Sequence, residues 1–379
     1  MTTKNEKEEG QVDESLHYPK PKVGLLTLLD PRTEFYEYML KSGINLKQSN
    51  EFQHNLLKKT LIEKGSLDVV DGGLITSSES ARAAVNSLVA AQAIECLMIM
   101  VPGWTFPVIG AVAAQAAELH KVPVMLIGWS ALSGPTAVNG AIEEIGVKHK
   151  VSWIYGPVTD QGILSDFVAF ARAASVVVRL RGMKFGSLGG ASMGILTAAM
   201  DTSQWLRLFG VEAEHLDQSE IVRVAESVPP EVSDKYMHWI KNNVKKITED
   251  GQRVTEDKIE RQVRCYIAAK KIAKEHRLDF VGLKCQTELS DNYVNQCLTA
   301  TFMNDPYDAE GRKETIPCSC EADANSALTM QMLKMLSGGK PVFFGDLMLY
   351  DRGTRTIAIM NCGGASTWFA AASMNPSEN

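Results

Sequence analysis

Two acid-bearing turns stand out by residue type and spacing. The apolar run 278–283 leads through Lys284, Cys285, Gln286 and Thr287 to Glu288, and the run 316–320 leads through Glu321 and Ala322 to Asp323. Each reads as a strand that ends in a carboxylate. In an open sheet with helices on its faces, ligands collect beyond the carboxyl ends of the strands. Two acids in that position can bind a divalent cation, move a proton, or do both. If the first strand continues to Glu288, side-chain alternation puts Lys284, Gln286 and Glu288 on one face, where Gln286 could read a hydroxyl beside the metal. Glu321 is a rival to Asp323, since either could project into the site.

The elements that must position these residues alternate in kind. A near-continuous apolar run at 22–29 marks a strand covered on both faces and ends at Asp30-Pro31-Arg32. A helix over 34–41, a short strand over 67–73, a helix over 81–94 capped by Ser78, a strand over 96–101, a helix over 108–120 and a strand over 122–128 follow. This β-α alternation predicts a doubly wound parallel sheet. Arg32 and Trp104 come just after strands, at the ligand edge, where an arginine can reach sugar hydroxyls or an acid and an indole can lie against a sugar ring.

Gly156-Pro157 reads as punctuation between domains. Beyond it a helix over 161–178, a glycine-rich segment 186–194, a helix over 195–206 and a strand over 209–214 begin a second alternation. The glycines fit neither G-x-G-x-x-G nor a Walker pattern, so they are read as tight turns that let the backbone approach a neighbour, with Met193 facing the pocket. Pro229-Pro230 opens a helix, and Thr255 caps another that leaves Lys270, Lys271 and Lys274 in water. The helix over 325–336 stops at Gly338-Gly339, and 341–345 reads as a strand ended by Asp346. The expected architecture is α/β: two doubly wound, Rossmann-like parallel-sheet domains (22–155 and 156–340) after a flexible tail (1–21), then the start of a third, mainly β domain (341–379).

A formal charge of −6 over 379 residues gives no basic footprint, so nucleic acid and anionic membrane are not expected partners. Residues 1–20 are polar, without the apolar core of a secretory signal, and no window reads as a membrane span, so the cytoplasm is the expected location. The seven cysteines are read as reduced residues of a cytosolic chain.

Taken together, Lys284-Cys285-Gln286-Thr287-Glu288-Leu289-Ser290-Asp291, Cys320-Glu321-Ala322-Asp323 followed by Ala327-Leu328-Thr329-Met330, and Phe344-Gly345-Asp346 resemble the L-fucose isomerase family. Asp30-Pro31-Arg32, Pro102-Gly103-Trp104 and Gly189-Gly190-Ala191-Ser192-Met193-Gly194 fall where that family has pocket segments. The resemblance implies a metal-dependent aldose–ketose isomerase acting on a monosaccharide, using Mn²⁺ or another divalent cation such as Mg²⁺ or Co²⁺, and assembled as a homo-oligomer, a trimer or hexamer. It implies that Glu288 and Asp323 bind the metal and form the acid/base pair, that Arg32 and Trp104 reach the sugar of a neighbouring subunit, and that Met193 lines the pocket.

The chemistry fits those residue types. Moving a proton between C1 and C2 through an enediol needs one group to take it and another to handle the hydroxyl proton. The departure from the family is its metal-binding histidine, supplied by a C-terminal domain, which none of His17, His54, His120, His149, His215, His238 or His276 matches in context. The expectation is therefore a partial isomerase that binds metal weakly. The alternative is a non-catalytic cytoplasmic sugar sensor built on the same two lobes, which Glu288→Gln would separate from the enzyme by leaving sugar affinity unchanged.

Overall fold

In the computed structural model, which describes residues 18–129 and 133–379, contacts divide the chain after Arg179. The first unit runs β1 (Lys22–Leu28), α1 (Thr33–Lys41), α2 (Leu46–Glu63), β2 (Asp68–Ile75), α3 (Ser78–Gln92), β3 (Cys96–Val101), α4 (Pro107–Leu119), β4 (Val124–Trp129), α5 (Ser133–Glu144), β5 (His149–Ile154) and α6 (Gln161–Arg179). Its five strands are all parallel, in the order β2-β1-β3-β4-β5.

Apolar residues at both parities explain why these strands lie in the middle of a layered fold. One face presents Val23, Leu25, Cys96, Met98, Met100, Met125 and Ile127 to α2 and α6; the other presents Leu26, Leu28, Leu97, Ile99, Val101, Val124 and Leu126 to α3, α4 and α5. The one polar side chain of β1 on the α2 face, Thr27, is satisfied by His54 Nδ1 at 2.8 Å, and His54 Nε2 lies 3.1 Å from Asp71. The cap of α3 falls one residue earlier than expected, because Ser77 accepts from Ser80 N while the Ser80 hydroxyl returns to the Ser77 backbone.

Helix α6 does not open the second unit as Gly156-Pro157 suggests. Leu164, Phe167, Ala171 and Ala174 join the core under the first sheet, and Arg179 at its end pairs with Glu95. This 19-residue helix is long and apolar enough to cross a membrane by length and composition, a case that the reading of the sequence passed over. Its buried stripe is the face of a core helix. Residues 1–17 of the expected tail lie outside the described residues.

The second unit runs β6 (Lys184–Leu188), α7 (Thr202–Phe209), β7 (Glu212–Leu216), α8 (Gln218–Glu226), α9 (Pro230–Asn243), α10 (Glu256–Glu275), β8 (Phe280–Leu283), α11 (Glu288–Asn292), α12 (Cys297–Asn304), the short pair β9 (Tyr307–Asp308) and β10 (Gly311–Arg312), β11 (Cys318–Cys320), α13 (Ala324–Leu336), β12 (Asp346–Asp351) and β13 (Thr356–Met360). Its main sheet is parallel in the order β11-β8-β6-β7. With both sheets parallel and flanked by helices, the α/β doubly wound class holds.

Three local expectations change. The helix expected over 195–206 is a short 3₁₀ turn followed by α7, because Asp201 accepts from Gln204 N and so starts the helix at Thr202. Residues 341–345 form no strand; Asp346 opens β12, which pairs antiparallel with β13. Lys270 is not simply solvated: its ammonium lies 2.7 Å from Asp308 and 2.6 Å from Glu310, and the buried Asp308 also accepts from Tyr266 Oη at 2.5 Å. Burial pushes the Asp308 carboxyl up, but the hydrogen bonds from Lys270 and Tyr266 outweigh it and hold the group below its ordinary value.

Asp308→Asn weakens the charge-assisted hydrogen bonds that Lys270 and Tyr266 make to a buried carboxylate, while Lys270 keeps Glu310 as a partner, so it is expected to cost about 2 kcal/mol in urea unfolding. Because the folded-state value is depressed, the contribution is fully present above the unfolded value of about 3.9 and fades as pH falls through the folded one. The difference between wild type and variant should shrink accordingly when unfolding is repeated at acid pH.

Candidate functional site

In each sheet the chain goes from its first strand to one side and then returns to the other, so a crevice opens at the carboxyl edge between the first strand and its neighbour on the return side. In the first unit the loops after β1 and β3 border that crevice. The buried Thr105 hydroxyl donates to the Leu29 carbonyl at 2.8 Å and ties them together. Gly134 allows a further close approach, for a Cβ there would lie 1.9 Å from the Gly103 carbonyl oxygen and 2.9 Å from Trp104 Cα. Trp104 is 42% exposed on this edge.

Arg32 stands on the same edge with its guanidinium fixed. Nε donates to Asp30 Oδ1 at 2.9 Å and Nη2 to Oδ2 at 2.5 Å, while Phe35 and Phe106 lie 5.3 and 5.9 Å from the guanidinium carbon. Burial raises the Asp30 carboxyl, but its hydrogen bonds with Arg32 hold it below its ordinary value.

The second unit repeats the device between the loops after β6 and β8. Ser192 is fully buried, and its Oγ lies 2.8 Å from the Gln286 carbonyl and 2.6 Å from Glu321 Oε2. The Gln286 main-chain N–H also donates to Glu321 Oε2, at 3.3 Å. One carboxylate from the turn after β11 thus joins both loops at the crevice. Positive φ at Gly189, Gly190 and Gly194 lets the β6 loop turn; a Cβ on Gly189 would meet Gln218 Cγ at 2.4 Å and Lys284 Cβ at 2.9 Å. Met193, also at positive φ, is 55% exposed on that loop.

Strand β8 stops at Leu283 rather than continuing to Glu288. Lys284 N still bonds to the Leu188 carbonyl, but the Lys284 carbonyl accepts from the Gln218 side chain at 2.8 Å in place of a strand neighbour. Helical bonds take over from Ser290 N to the Cys285 carbonyl and from Asp291 N to the Thr287 carbonyl. Lys284, Gln286 and Glu288 are therefore not set on one face by strand alternation. Lys284 and Glu288 meet instead through a salt bridge of 2.7 Å, with the carboxylate half exposed. The Lys284 ammonium draws the Glu288 carboxyl below its ordinary value.

Asp323 caps α13, accepting from Ser326 N at 2.8 Å, while its own carbonyl accepts from Ser319 Oγ at 2.7 Å. Glu321 and Ala322 both adopt φ near +54°, a conformation that costs a non-glycine residue on the order of 1–3 kcal/mol and so marks a turn held by its surroundings. Gly282 provides the room, since a Cβ there would lie 3.0 Å from Ala322 Cα. Of the expected residues, Gln286, Glu288, Asp323 and Met193 belong to the loops at this edge, and Arg32 and Trp104 to the edge of the first unit. Ser192 escaped singling out because a serine in a glycine-rich loop reads as turn chemistry.

The family resemblance implies a divalent ion held by Glu288 and Asp323. Among the described residues no three His, Cys, Asp or Glu side chains come together in a way that could hold a metal. Glu288 is engaged by Lys284, and Asp323 has one oxygen committed to its helix.

Residues 184–278, from β6 to just before β8, match the family model for the second N-terminal domain of L-fucose isomerase. The chain is 24% identical over 251 residues to a sulfoquinovose isomerase of Clostridium sp. (strain MSTE9), covering 64% of this chain and 52% of the relative. A sulfoquinovose isomerase of Alkalicoccus urumqiensis is 19% identical, with 58% and 46% covered, and an L-fucose isomerase of Streptococcus pneumoniae (strain P1031) is 21% identical, with 50% and 36% covered. The chain spans about half the length, or less, of these curated relatives.

Removing the buried Ser192 hydroxyl leaves two partly buried acceptors with one donor fewer. Ser192→Ala is expected to cost about 2 kcal/mol in urea unfolding. Glu321→Ala should cost less in that background than alone, by about 1 kcal/mol, because the two groups share a contact. Strict additivity in the double-mutant cycle would show that the contact does not couple the loops.

Proposed function

Proceeding from a chain that is L-fucose isomerase-like, we propose that it belongs to a sugar isomerase that interconverts an aldose and a ketose by proton transfer between C1 and C2. The candidate substrates are fucose- or arabinose-type sugars and C6-modified hexoses. The observation that carries the reading is the convergence, at the crevice of the second sheet, of the loop bearing Glu288 with the turn bearing Glu321 and Asp323, tied through Ser192. Support also comes from relatives named for sugar isomerisation.

In this reading Glu288 and Asp323 form the acid/base pair. Lys284 keeps Glu288 ionised, so the carboxylate stands ready to accept a hydrogen bond or a proton, and a low basicity in the resting site means that the ammonium must share its contact when the sugar enters. Asp323 is held in place by its cap and retains its second oxygen for substrate. Gln286 and Met193 contribute pocket surface, and Trp104 offers a flat face to a sugar ring. The Mn²⁺, Mg²⁺ or Co²⁺ implied by resemblance would supply carbonyl polarisation. The described side chains do not complete a site for it, and the proton-transfer roles of Glu288 and Asp323 are argued from their own contacts. A homo-oligomer acting in the cytoplasm is proposed on the same resemblance.

The natural gene product that contains this chain should convert at least one member of a panel of pentoses, hexoses and 6-deoxyhexoses, assayed with and without Mn²⁺ by NMR. Glu288→Gln and Asp323→Asn are each expected to lower kcat by about 100-fold or more, the usual contribution of a positioned acid or base. Turnover unchanged in both variants would refute the assignment of the pair.

A further inference from the structure

The Asp30–Arg32 pair at the carboxyl edge of the first sheet is more than a fixed side chain. Asp30 is only 2% exposed, and both of its carboxylate oxygens are committed to Arg32, which also donates its backbone N–H to Oδ1 at 3.0 Å. Phe35 and Phe106 flank the guanidinium, and 49% of the Arg32 side chain remains exposed. A guanidinium carries five N–H donors. Asp30 takes two, and the other three have no acceptor among the described residues. The edge therefore presents aimed hydrogen-bond donors whose positive charge is already balanced by a neighbouring buried carboxylate.

That combination separates two kinds of ligand. A hydroxyl accepts a hydrogen bond from a neutralised guanidinium almost as well as from a free one. A sulfonate, phosphate or carboxylate loses most of the Coulombic attraction and also meets the Asp30 charge nearby. We propose that Asp30 is a specificity-determining residue that, by neutralising Arg32, makes this edge a reader of hydroxyls on an uncharged sugar and not an anchor for an anionic one. The inference rests on the reading that this edge faces a sugar.

The test measures binding without turnover. Two hexitols of the same stereochemistry, a neutral 6-deoxyhexitol and its 6-sulfonated counterpart, are titrated calorimetrically into the protein that contains this chain and into its Asp30→Asn variant. The wild type is expected to bind the neutral hexitol about tenfold more tightly or better. Asp30→Asn keeps the side-chain shape but frees the Arg32 charge, and should shift the ratio toward the sulfonated hexitol by about tenfold. Preference of the wild type for the sulfonated hexitol, no binding of the neutral one, or an unchanged ratio in a folded Asp30→Asn protein would each overturn the role of Asp30. Should the variant fail to fold, the preference of the wild type decides alone. Hexitols are not isomerised, so a negative isomerase assay bears on the proposed function and not on this result.

Discussion

A main-chain carbonyl at the mouth of a parallel sheet has no strand partner beyond the last rung, and burying it unpaired costs about 1–3 kcal/mol. Both units meet this constraint in the same way. Thr105 gives its hydroxyl to Leu29 in the first, and Ser192 contacts Gln286 in the second, each reaching across to the loop that follows the neighbouring strand. In the second unit Glu321 adds its carboxylate to the same contact, so three loops are held at one point. The positions of Lys284, Glu288 and Asp323 all follow from that tie, since each lies within four residues of a group that takes part in it.

Charge at the two edges is balanced locally. Arg32 is answered by Asp30 and Lys284 by Glu288, both at hydrogen-bond distance. The first carboxylate is buried and the second half exposed, which sets them apart in consequence. Separating the buried Asp30 from its arginine would leave a desolvated charge unpaired, whereas the exposed Glu288 would part from its lysine at little desolvation cost. An immobile pair suits recognition, and an exchangeable one suits chemistry.

What the sequence made legible follows the same physics. β1, β3 and β4 could be read because burial on both faces demands apolar residues at nearly every position, Thr27 being the polar exception on the α2 face. Helix α2 was passed over because its buried side chains include His54 and Thr60, which break the apolar stripe. The reach of β8 was overestimated because alternation cannot reveal that the Gln218 amide, 66 residues away in sequence, replaces the next strand bond. The different bonds of Glu321 and Asp323 were equally closed to inspection: one ties two loops and the other caps a helix, on either side of a turn at positive φ. Lys270 looked like one more solvated lysine until the fold brought Asp308 beside it.

The most direct measurement is hydrogen–deuterium exchange, with and without a neutral 6-deoxyhexitol, on the protein that contains this chain. Slowed exchange in the three loops around Ser192, Gln286 and Glu321 is the expected result. A ligand that binds yet protects amides only elsewhere would contradict a sugar site at the carboxyl edge of the second sheet.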